Sequence, residues 1–285
     1  MTIHELTESG AELLHDHGVD NYRNEVRYIL MEIIDKDVTY IMLHGDEEVK
    51  KEHEELFDYR IRQRCKRYPL QYILGHQEFY GLDFMVDQSV LIPRQDTEIL
   101  VEHAIACLKE HFNDRTPKVL DLCTGSGCIG ITLAKNVNIE LTISDRSREA
   151  LAVATKNLKK HEVSADIICG DLFEEMVDTF DVITANPPYI PRQVINTLMP
   201  EVREFEPMMA LDGHEDGLYF YRRIAKEAER YMEEDGHIFL EIGYDQGPDV
   251  KRIFEDQGFR DVEVIKDYAK DDRVVHAVRY KEGTK

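Results

Sequence analysis

The sequence has few basic residues relative to acidic ones. It contains 35 lysines and arginines against 57 aspartates and glutamates, which gives a formal net charge of −22 at pH 7. A large surface for non-specific nucleic-acid binding needs the opposite sign, so the composition argues against that class of protein. The run from Arg60 to Arg67 is a local exception. On a helix it would be either a solvated face or a contact for an acidic partner.

Long apolar runs and paired cysteines are also missing. No run has the length of a membrane span, and the first residues lack the basic-then-apolar pattern of a signal peptide. We therefore expect a cytoplasmic protein with no membrane partner. The five cysteines are odd in number and contain no Cys-x-x-Cys. They predict buried reduced thiols, with neither a disulfide framework nor a metal site.

The N-terminal part of the chain has helical periodicity. Thr2 and Glu5 have the spacing of a capping box, and a charged helix is predicted from Asp46 to about Arg67. An all-helical unit of this size buries little core by itself. It is therefore more plausible as a binding appendage than as a second enzyme.

Proline and glycine then mark a change of structure. Pro69 breaks the helical pattern, and the segments 71–75, 79–86 and 90–92 look extended, which predicts a hairpin between two domains. The resulting division is a helical domain at 1–70, a hairpin linker at 71–92 and an α/β domain at 93–285.

From Lys118 onward, strand and helix patterns alternate. This alternation predicts a doubly wound, mostly parallel α/β sheet with helices on both faces. Because the last two strands lack a helix-length spacer, one of them should run antiparallel. The stretch 186–216 is too long for an ordinary connection, which is typical of a functional loop. The seven predicted strands lie at 118–122, 139–144, 165–169, 180–185, 236–242, 261–266 and 273–280.

A glycine-rich turn follows the first of these strands. Gly125 and Gly127 allow a tight turn and a close approach by a ligand. Asp145 ends the next strand, where a carboxylate can accept hydrogen bonds from ribose hydroxyls. The spacing Gly125-x-Gly127-x-x-Gly130 by itself fits both NAD and S-adenosylmethionine.

Two further acids bear on the cofactor. Asp121 precedes the glycines, where a carboxylate can sit near the cationic amino-acid end of a ligand but would repel a pyrophosphate. This favours S-adenosylmethionine. Asp171 follows the third strand and can approach an adenine amino group, with Leu172 beside the ring.

The fourth strand stops abruptly at Asn186-Pro187-Pro188-Tyr189. Two prolines remove two backbone donors, and the strand ends where ligands bind in an open α/β sheet. Hydrogen bonds to the Asn186 side-chain oxygen and the Pro187 carbonyl would hold a weakly nucleophilic amide or amine nitrogen in place. Tyr189 can stack on a flat substrate. Methyl transfer to such a nitrogen needs positioning more than a strong base, so no general base is assigned.

Asn186-Pro187-Pro188-Tyr189 resembles the motif of methyltransferases that act on planar amide or amine nitrogens. From about residue 69 nearly to the C-terminus, the chain resembles the HemK/PrmC family, the peptide chain release factor glutamine N(5)-methyltransferases. The segments that carry this resemblance are 69–75, 79–81, 91–98, 120–127, 206–207, 210–211, 216–218 and 241–243.

The resemblance implies a seven-stranded Rossmann-like methyltransferase sheet with a helical substrate-recognition domain at 1–70. It implies methyl transfer from S-adenosylmethionine to the glutamine of a Gly-Gly-Gln loop in class I release factors. It implies substrate contacts at Asn186, Pro187, Pro188 and Tyr189, with Asn186, Pro187 and Tyr189 catalytic. The implied cofactor contacts are Cys123, Thr124, Gly125, Ser126, Gly127, Asp145, Asp171, Leu172 and Asn186.

The sequence also allows three other functions. A DNA N(6)-adenine methyltransferase uses the same tip, although the negative charge and the lack of a basic recognition insert argue against DNA as a partner. A ribosomal-protein glutamine methyltransferase has catalytic residues that cannot be told apart from these. The third reading is an inactive binding module that keeps the fold to hold a partner.

Overall fold

The computed structural model describes residues 1–280; residues 281–285, the end of the predicted catalytic domain, lie outside the described part. The helices are α1 (Ile3–Asp16), α2 (Tyr22–Ile34), α3 (Val38–Leu43), α4 (Lys51–Cys65), α5 (Leu70–Leu74), α6 (Glu98–His111), α7 (Cys128–Asn136), α8 (Arg148–His161), α9 (Arg192–Ile195), α10 (Pro200–Phe205), α11 (Met208–Leu211), α12 (Tyr219–Ala228) and α13 (Gly247–Asp256). The strands are β1 (His76–Phe79), β2 (Leu82–Met85), β3 (Lys118–Leu122), β4 (Glu140–Asp145), β5 (Asp166–Cys169), β6 (Phe180–Ala185), β7 (Met232–Glu241), β8 (Arg260–Lys266) and β9 (Asp272–Val278). Within residues 1–280, no helix is both long and apolar enough to span a bilayer.

The chain forms two compact units. The first joins Met1–His76 to Met199–Phe205, and the second joins Gln77–Leu198 to the chain from Glu206 onward. The loop that follows Asn186 therefore contributes a helix, α10, to the helical unit. No pattern in the sequence indicated this, because a six-residue helix inside a long loop has too little periodicity to assign it to either unit. The roles predicted for residues 1–70, 71–92 and 93–285 stay predictions.

In the helical unit, the capping box at the start of α1 is confirmed: Thr2 and Glu5 each bond the other's backbone N–H. The apolar faces of α1, α2 and α4 share one core. The predicted start of α4 at Asp46 is wrong, since the helix begins at Lys51. The reason is tertiary: residues 47–49 are held extended by hydrogen bonds to the first three residues of the chain.

The linker differs in part from its prediction. Residues 71–75 are not extended: Leu70–Leu74 form α5, with Pro69 (φ −55°) before the helix and Gly75 (φ 85°) ending it. The short length of this helix hid its periodicity. The predicted hairpin is present as β1 and β2. Residues 90–92 form no strand, and Val90 and Ile92 are buried by packing instead.

The basic run has acidic partners in its own chain. Arg64 is 5% exposed, and its guanidinium lies 2.5 Å from Glu25 Oε2 and 3.0 Å from Glu201 Oε1. Arg67 also pairs with Glu201, at 2.7 Å. Burial raises the pKa of Glu201, but hydrogen bonds from the backbone, Arg67 and Arg64 outweigh burial, and the pKa lies below its usual value. The run is therefore not simply a solvated face.

We expect Arg64→Ala to lower the free energy of unfolding of the helical unit by about 3–5 kcal/mol, because it leaves the buried carboxylate of Glu25 without its cation and removes one of the two arginines that pair with Glu201. Urea unfolding followed by circular dichroism measures the loss. Arg62→Ala is the matched control: Arg62 is exposed and pairs with Asp58 at 3.1 Å. The free energy of unfolding of Arg62→Ala should fall by only about 0.5 kcal/mol. Equal losses in the two variants would contradict the prediction.

The α/β unit confirms the predicted sheet. Within residues 1–280 its seven strands lie in the order β5-β4-β3-β6-β7-β9-β8. Five neighbouring strands run parallel to one another, namely β5, β4, β3, β6 and β7. Strand β9 is antiparallel to both of its neighbours, as the short spacer before it required. Helices α6, α7 and α8 cover one face, and α12 and α13 cover the other. Every residue of β6 is buried, which fixes the Asn-Pro-Pro-Tyr segment at the end of a central strand.

Candidate active site

A cavity opens at the carboxyl ends of β3, β4 and β6. The chain reverses its strand order at β3, and this point is where open α/β sheets bind ligands. The cavity has about 1010 Å³ including its mouth, which is enough for a nucleoside with an amino-acid tail. The predicted residues Gly127, Pro187 and Tyr189 do not line it. The predicted residues that do are Cys123, Thr124, Gly125, Ser126, Asp145, Asp171, Leu172, Asn186 and Pro188.

The glycine turn faces the cavity with left-handed backbone. Gly125 has φ 53° and Gly127 has φ 84°, where side chains with a Cβ are strained. A Cβ on Gly125 would meet no atom within 4 Å, so this backbone borders open space. A Cβ on Gly127 would lie 2.9 Å from Ile131 Cδ1, so Gly127 also lets α7 pack closely. The turn therefore leaves room for a ligand to approach the backbone at Gly125.

Asp145, the last residue of β4, is tied to this turn. Its Oδ2 accepts from Gly125 N at 3.0 Å, and its Oδ1 accepts from Ser147 N at 2.9 Å. Burial raises the pKa of Asp145, opposed by these backbone hydrogen bonds. Each carboxylate oxygen accepts two hydrogen bonds, so capacity remains for hydroxyl groups of a ligand in the cavity.

Asp145→Ala should raise the dissociation constant of S-adenosylmethionine by about 10–100-fold, because it removes a charged acceptor from the cavity and frees the Gly125 N–H. Isothermal titration calorimetry gives the value. Asp166→Ala, an exposed aspartate at the start of the neighbouring strand β5, serves as control and should bind normally. An unchanged dissociation constant in Asp145→Ala would remove Asp145 from the cofactor site.

Asp121 lies beneath the turn instead of beside the ligand, so the expected contact with an amino-acid tail is wrong. It is fully buried and does not line the cavity. It accepts from Thr124 Oγ1 at 2.5 Å, Thr184 Oγ1 at 2.9 Å and Gly130 N at 3.1 Å. Burial raises the pKa of Asp121 to about 6, against these three hydrogen bonds. Its role is to hold the glycine turn against β6.

Two residues other than glycine line the cavity with left-handed backbone. Cys123 has φ 54° and Leu172 has φ 56°. Such strain in bulky residues clusters at ligand sites. Asp171, next to Leu172, is partly engaged, because its Oδ2 pairs with Arg223 at 2.9 Å. Burial also raises the pKa of Cys123 well above its usual value, so the thiol stays protonated.

Hydrogen bonds hold the side chains of the polar tip in place. Asn186 Nδ2 donates to Thr97 Oγ1 at 3.4 Å, which leaves the side-chain oxygen of Asn186 as an acceptor. The Tyr189 hydroxyl donates to Glu241 Oε1 at 3.1 Å, and the Tyr189 carbonyl accepts from Gln246 Nε2 at 3.0 Å. Burial raises the pKa of Glu241, while the Thr97 hydroxyl lowers it. Thr97 thus lies next to both Asn186 and Glu241.

Tyr189 is held as a neutral phenol. Burial raises the pKa of Tyr189 well above its usual range, and the carboxylate of Glu241 raises it further. A phenol that donates to a buried carboxylate is not available as a base. Tyr189 instead anchors the end of β6 to β7, and its predicted stacking on a substrate stays a prediction.

Sequence reasoning missed the residues that support the tip. Thr97, Glu241 and Gln246 bond Asn186 and Tyr189, and Arg94, which lines the cavity, pairs with the buried Glu206. For Glu241 a signal was present, since an acidic residue that closes a buried strand repeats the pattern of Asp145. A lone glutamine such as Gln246 carries no comparable signal.

The fold and the site define a class. The sheet has the strand order of a Rossmann-like methyltransferase. It carries a glycine turn with an acid at the end of the next strand, and a polar tip lies across the switch point. These features together define the class of Rossmann-like, S-adenosylmethionine-dependent methyltransferases. The family model described as "Methyltransferase small domain" matches residues 97–201, and that described as "PrmC N-terminal domain" matches residues 5–75.

Curated relatives specify the family. The chain is 37% identical to the release factor glutamine methyltransferase of Clostridium botulinum, covering 98% of this chain and 100% of the relative. It is 39% identical to that of Geobacter sulfurreducens, covering 96% and 95%. The chain belongs to the release factor glutamine methyltransferase family. A methyltransferase structure from Pyrococcus furiosus, at 15% identity and a TM-score of 0.52 over 81% of this chain and 100% of that one, shares the fold.

Proposed function

We propose that this protein transfers a methyl group from S-adenosylmethionine to the side-chain amide nitrogen of the glutamine in the Gly-Gly-Gln loop of class I peptide chain release factors. The observation that carries the proposal is the position of Asn186. It lines the same cavity as the glycine turn, and its amide donates to Thr97, so that its oxygen is left to accept from a substrate N–H.

The chain's own residues suit S-adenosylmethionine. Asp145 would accept hydrogen bonds from the ribose hydroxyls. The part of the cavity next to Asp145 is bordered by Cys123 and the Gly125 turn. Leu172, with its strained backbone, would pack against the adenine, and Asp171 would accept from the adenine amino group. When bound, the cofactor supplies an electrophilic methyl on a sulfonium, whose positive charge disappears during transfer.

The tip suits a planar amide. Hydrogen bonds from the substrate NH₂ to the Asn186 side-chain oxygen and the Pro187 carbonyl would fix the nitrogen, and Tyr189 would stack on the amide plane. Held by these acceptors, the amide nitrogen would aim its lone pair at the methyl group that the bound cofactor would supply, and its proton would leave after the transfer. This reaction gains from positioning in a site that excludes water, as the buried supports of the tip provide.

The helical unit is proposed to recognise the body of the release factor, in keeping with its match to the N-terminal domain of the family. Translation factors act in the cytoplasm, where we place the reaction. Duplex DNA is not proposed as a partner, because a chain with net charge −22 lacks the cationic surface that DNA binding requires.

Incubation with labelled S-adenosylmethionine and a purified class I release factor tests the proposal. Label should enter the wild-type factor and be absent from a variant whose loop glutamine is replaced by alanine. Label on both factors, or on neither, would overturn the proposal. A parallel reaction with ribosomal proteins distinguishes this function from its nearest alternative. Label on a ribosomal protein and none on the release factor would indicate a ribosomal-protein glutamine methyltransferase.

A further inference from the structure

Three side chains of the kind that bind transition metals meet away from the cavity. They are Cys107 and His111 on α6 and His237 on β7, and one ligand atom from each lies within 4.8 Å of the others. We propose that they bind a divalent cation of the zinc type. This inference is independent of the proposed function, and it runs against the sequence-based prediction of no metal site, which considered the cysteines without their histidine neighbours in space.

The fold brings these ligands together on rigid elements. Cys107 and His111 are four residues apart on a helix, so they share one face of α6. That face packs on the sheet, where His237 extends from β7. A helix of this length carries His111 about 20 Å from Thr97 and the cavity. The site therefore lies outside the methyl-transfer machinery, and a bound ion would clamp the far end of α6 to β7.

The donor set indicates which ion it would take. One thiolate and two imidazoles are ligands that zinc favours, whereas calcium and magnesium require oxygen ligands. His111 is exposed, so a fourth position would be open to water.

A second histidine orients His237. His237 Nδ1 lies 3.0 Å from His276 Nε2, and the two ring planes differ by 6°. When His237 Nδ1–H donates to His276, the lone pair of His237 is on Nε2 and is available to a metal. Phe239 stacks on His276 at 4.4 Å and fixes that ring. Outer partners of this kind hold metal-binding histidines in the required tautomer.

Cobalt(II) is the probe that tests the site. The full chain is stripped with a chelator, reduced and titrated with Co²⁺. We expect one equivalent to bind, with a thiolate-to-cobalt charge-transfer band and the intense visible bands of tetrahedral cobalt. Zn²⁺ should then displace the cobalt and raise the melting temperature of the stripped protein.

The variants assign the ligands. His111→Ala changes an exposed residue and should fold normally, yet lose the tetrahedral bands. Cys107→Ser should lose the charge-transfer band, and His276→Ala should weaken Zn²⁺ affinity by about 10–100-fold. The controls Cys169→Ser and His15→Ala change an exposed cysteine and an exposed histidine elsewhere, and both should behave as the wild type. Absence of the bands in the wild type, or their persistence in both His111→Ala and Cys107→Ser, would overturn the proposal.

Discussion

Asn186→Ala is expected to lower kcat for methyl transfer by about 10²–10³-fold, the usual loss when one preorganised hydrogen-bonding group is removed from an active site. The substrate nitrogen would lose the acceptor that holds it in line with the methyl group. The backbone of the tip would remain, since its anchors run through Tyr189 to Glu241 and Gln246. Single-turnover methylation of a release factor measures the rate of the chemical step.

Cofactor binding separates this effect from a collapsed site. S-adenosylmethionine affinity in Asn186→Ala should fall far less than kcat, because the glycine turn and Asp145, which carry most of the implied cofactor contacts, are unchanged. Asn113→Ala, which alters an exposed asparagine beyond the end of α6, provides the control. Wild-type kcat in Asn186→Ala would refute the role given to its side chain.

Gly213→Ala is expected to reduce kcat by about 10²-fold or more, the cost of a displacement of about 1 Å at a reacting group. A Cβ on Gly213 would lie 2.7 Å from the Tyr189 carbonyl carbon and 2.8 Å from Gly217 Cα. Both neighbours are backbone atoms, which cannot swing aside as a flexible side chain can. The added methyl would therefore push the Asn-Pro-Pro-Tyr tip away from its position.

The displacement should leave S-adenosylmethionine affinity intact, because Gly213 does not line the cavity. Calorimetry on the variant therefore shows whether the domain has kept its fold. Gly45→Ala is the matched control, since its Cβ would make an ordinary contact at 3.5 Å with His4 Cβ. If Gly213→Ala turned over like Gly45→Ala, the tip would not depend on this close packing.

Much of the α/β unit was predictable because its signals are local. Strands such as Phe180–Ala185 are mostly apolar, and the positions of Gly125, Gly127 and Asp145 follow from one strand–turn–helix unit and the strand after it. The short helix at Leu70–Leu74 was misassigned because five residues show too little periodicity. The start of α4 was misplaced because pairing with the chain's first residues holds residues 47–49 extended.

The sequence by itself determined the parallel sheet, the glycine turn and the Asn-Pro-Pro-Tyr tip, since each rests on neighbouring residues with a fixed conformational preference. Only the tertiary structure decided what those parts touch. It placed Asp121 beneath the turn, paired Arg64 with Glu25 and Glu201, and set Thr97 beside Asn186. Contacts between residues far apart in the chain depend on tertiary packing, which cannot be predicted from the local sequence around each residue.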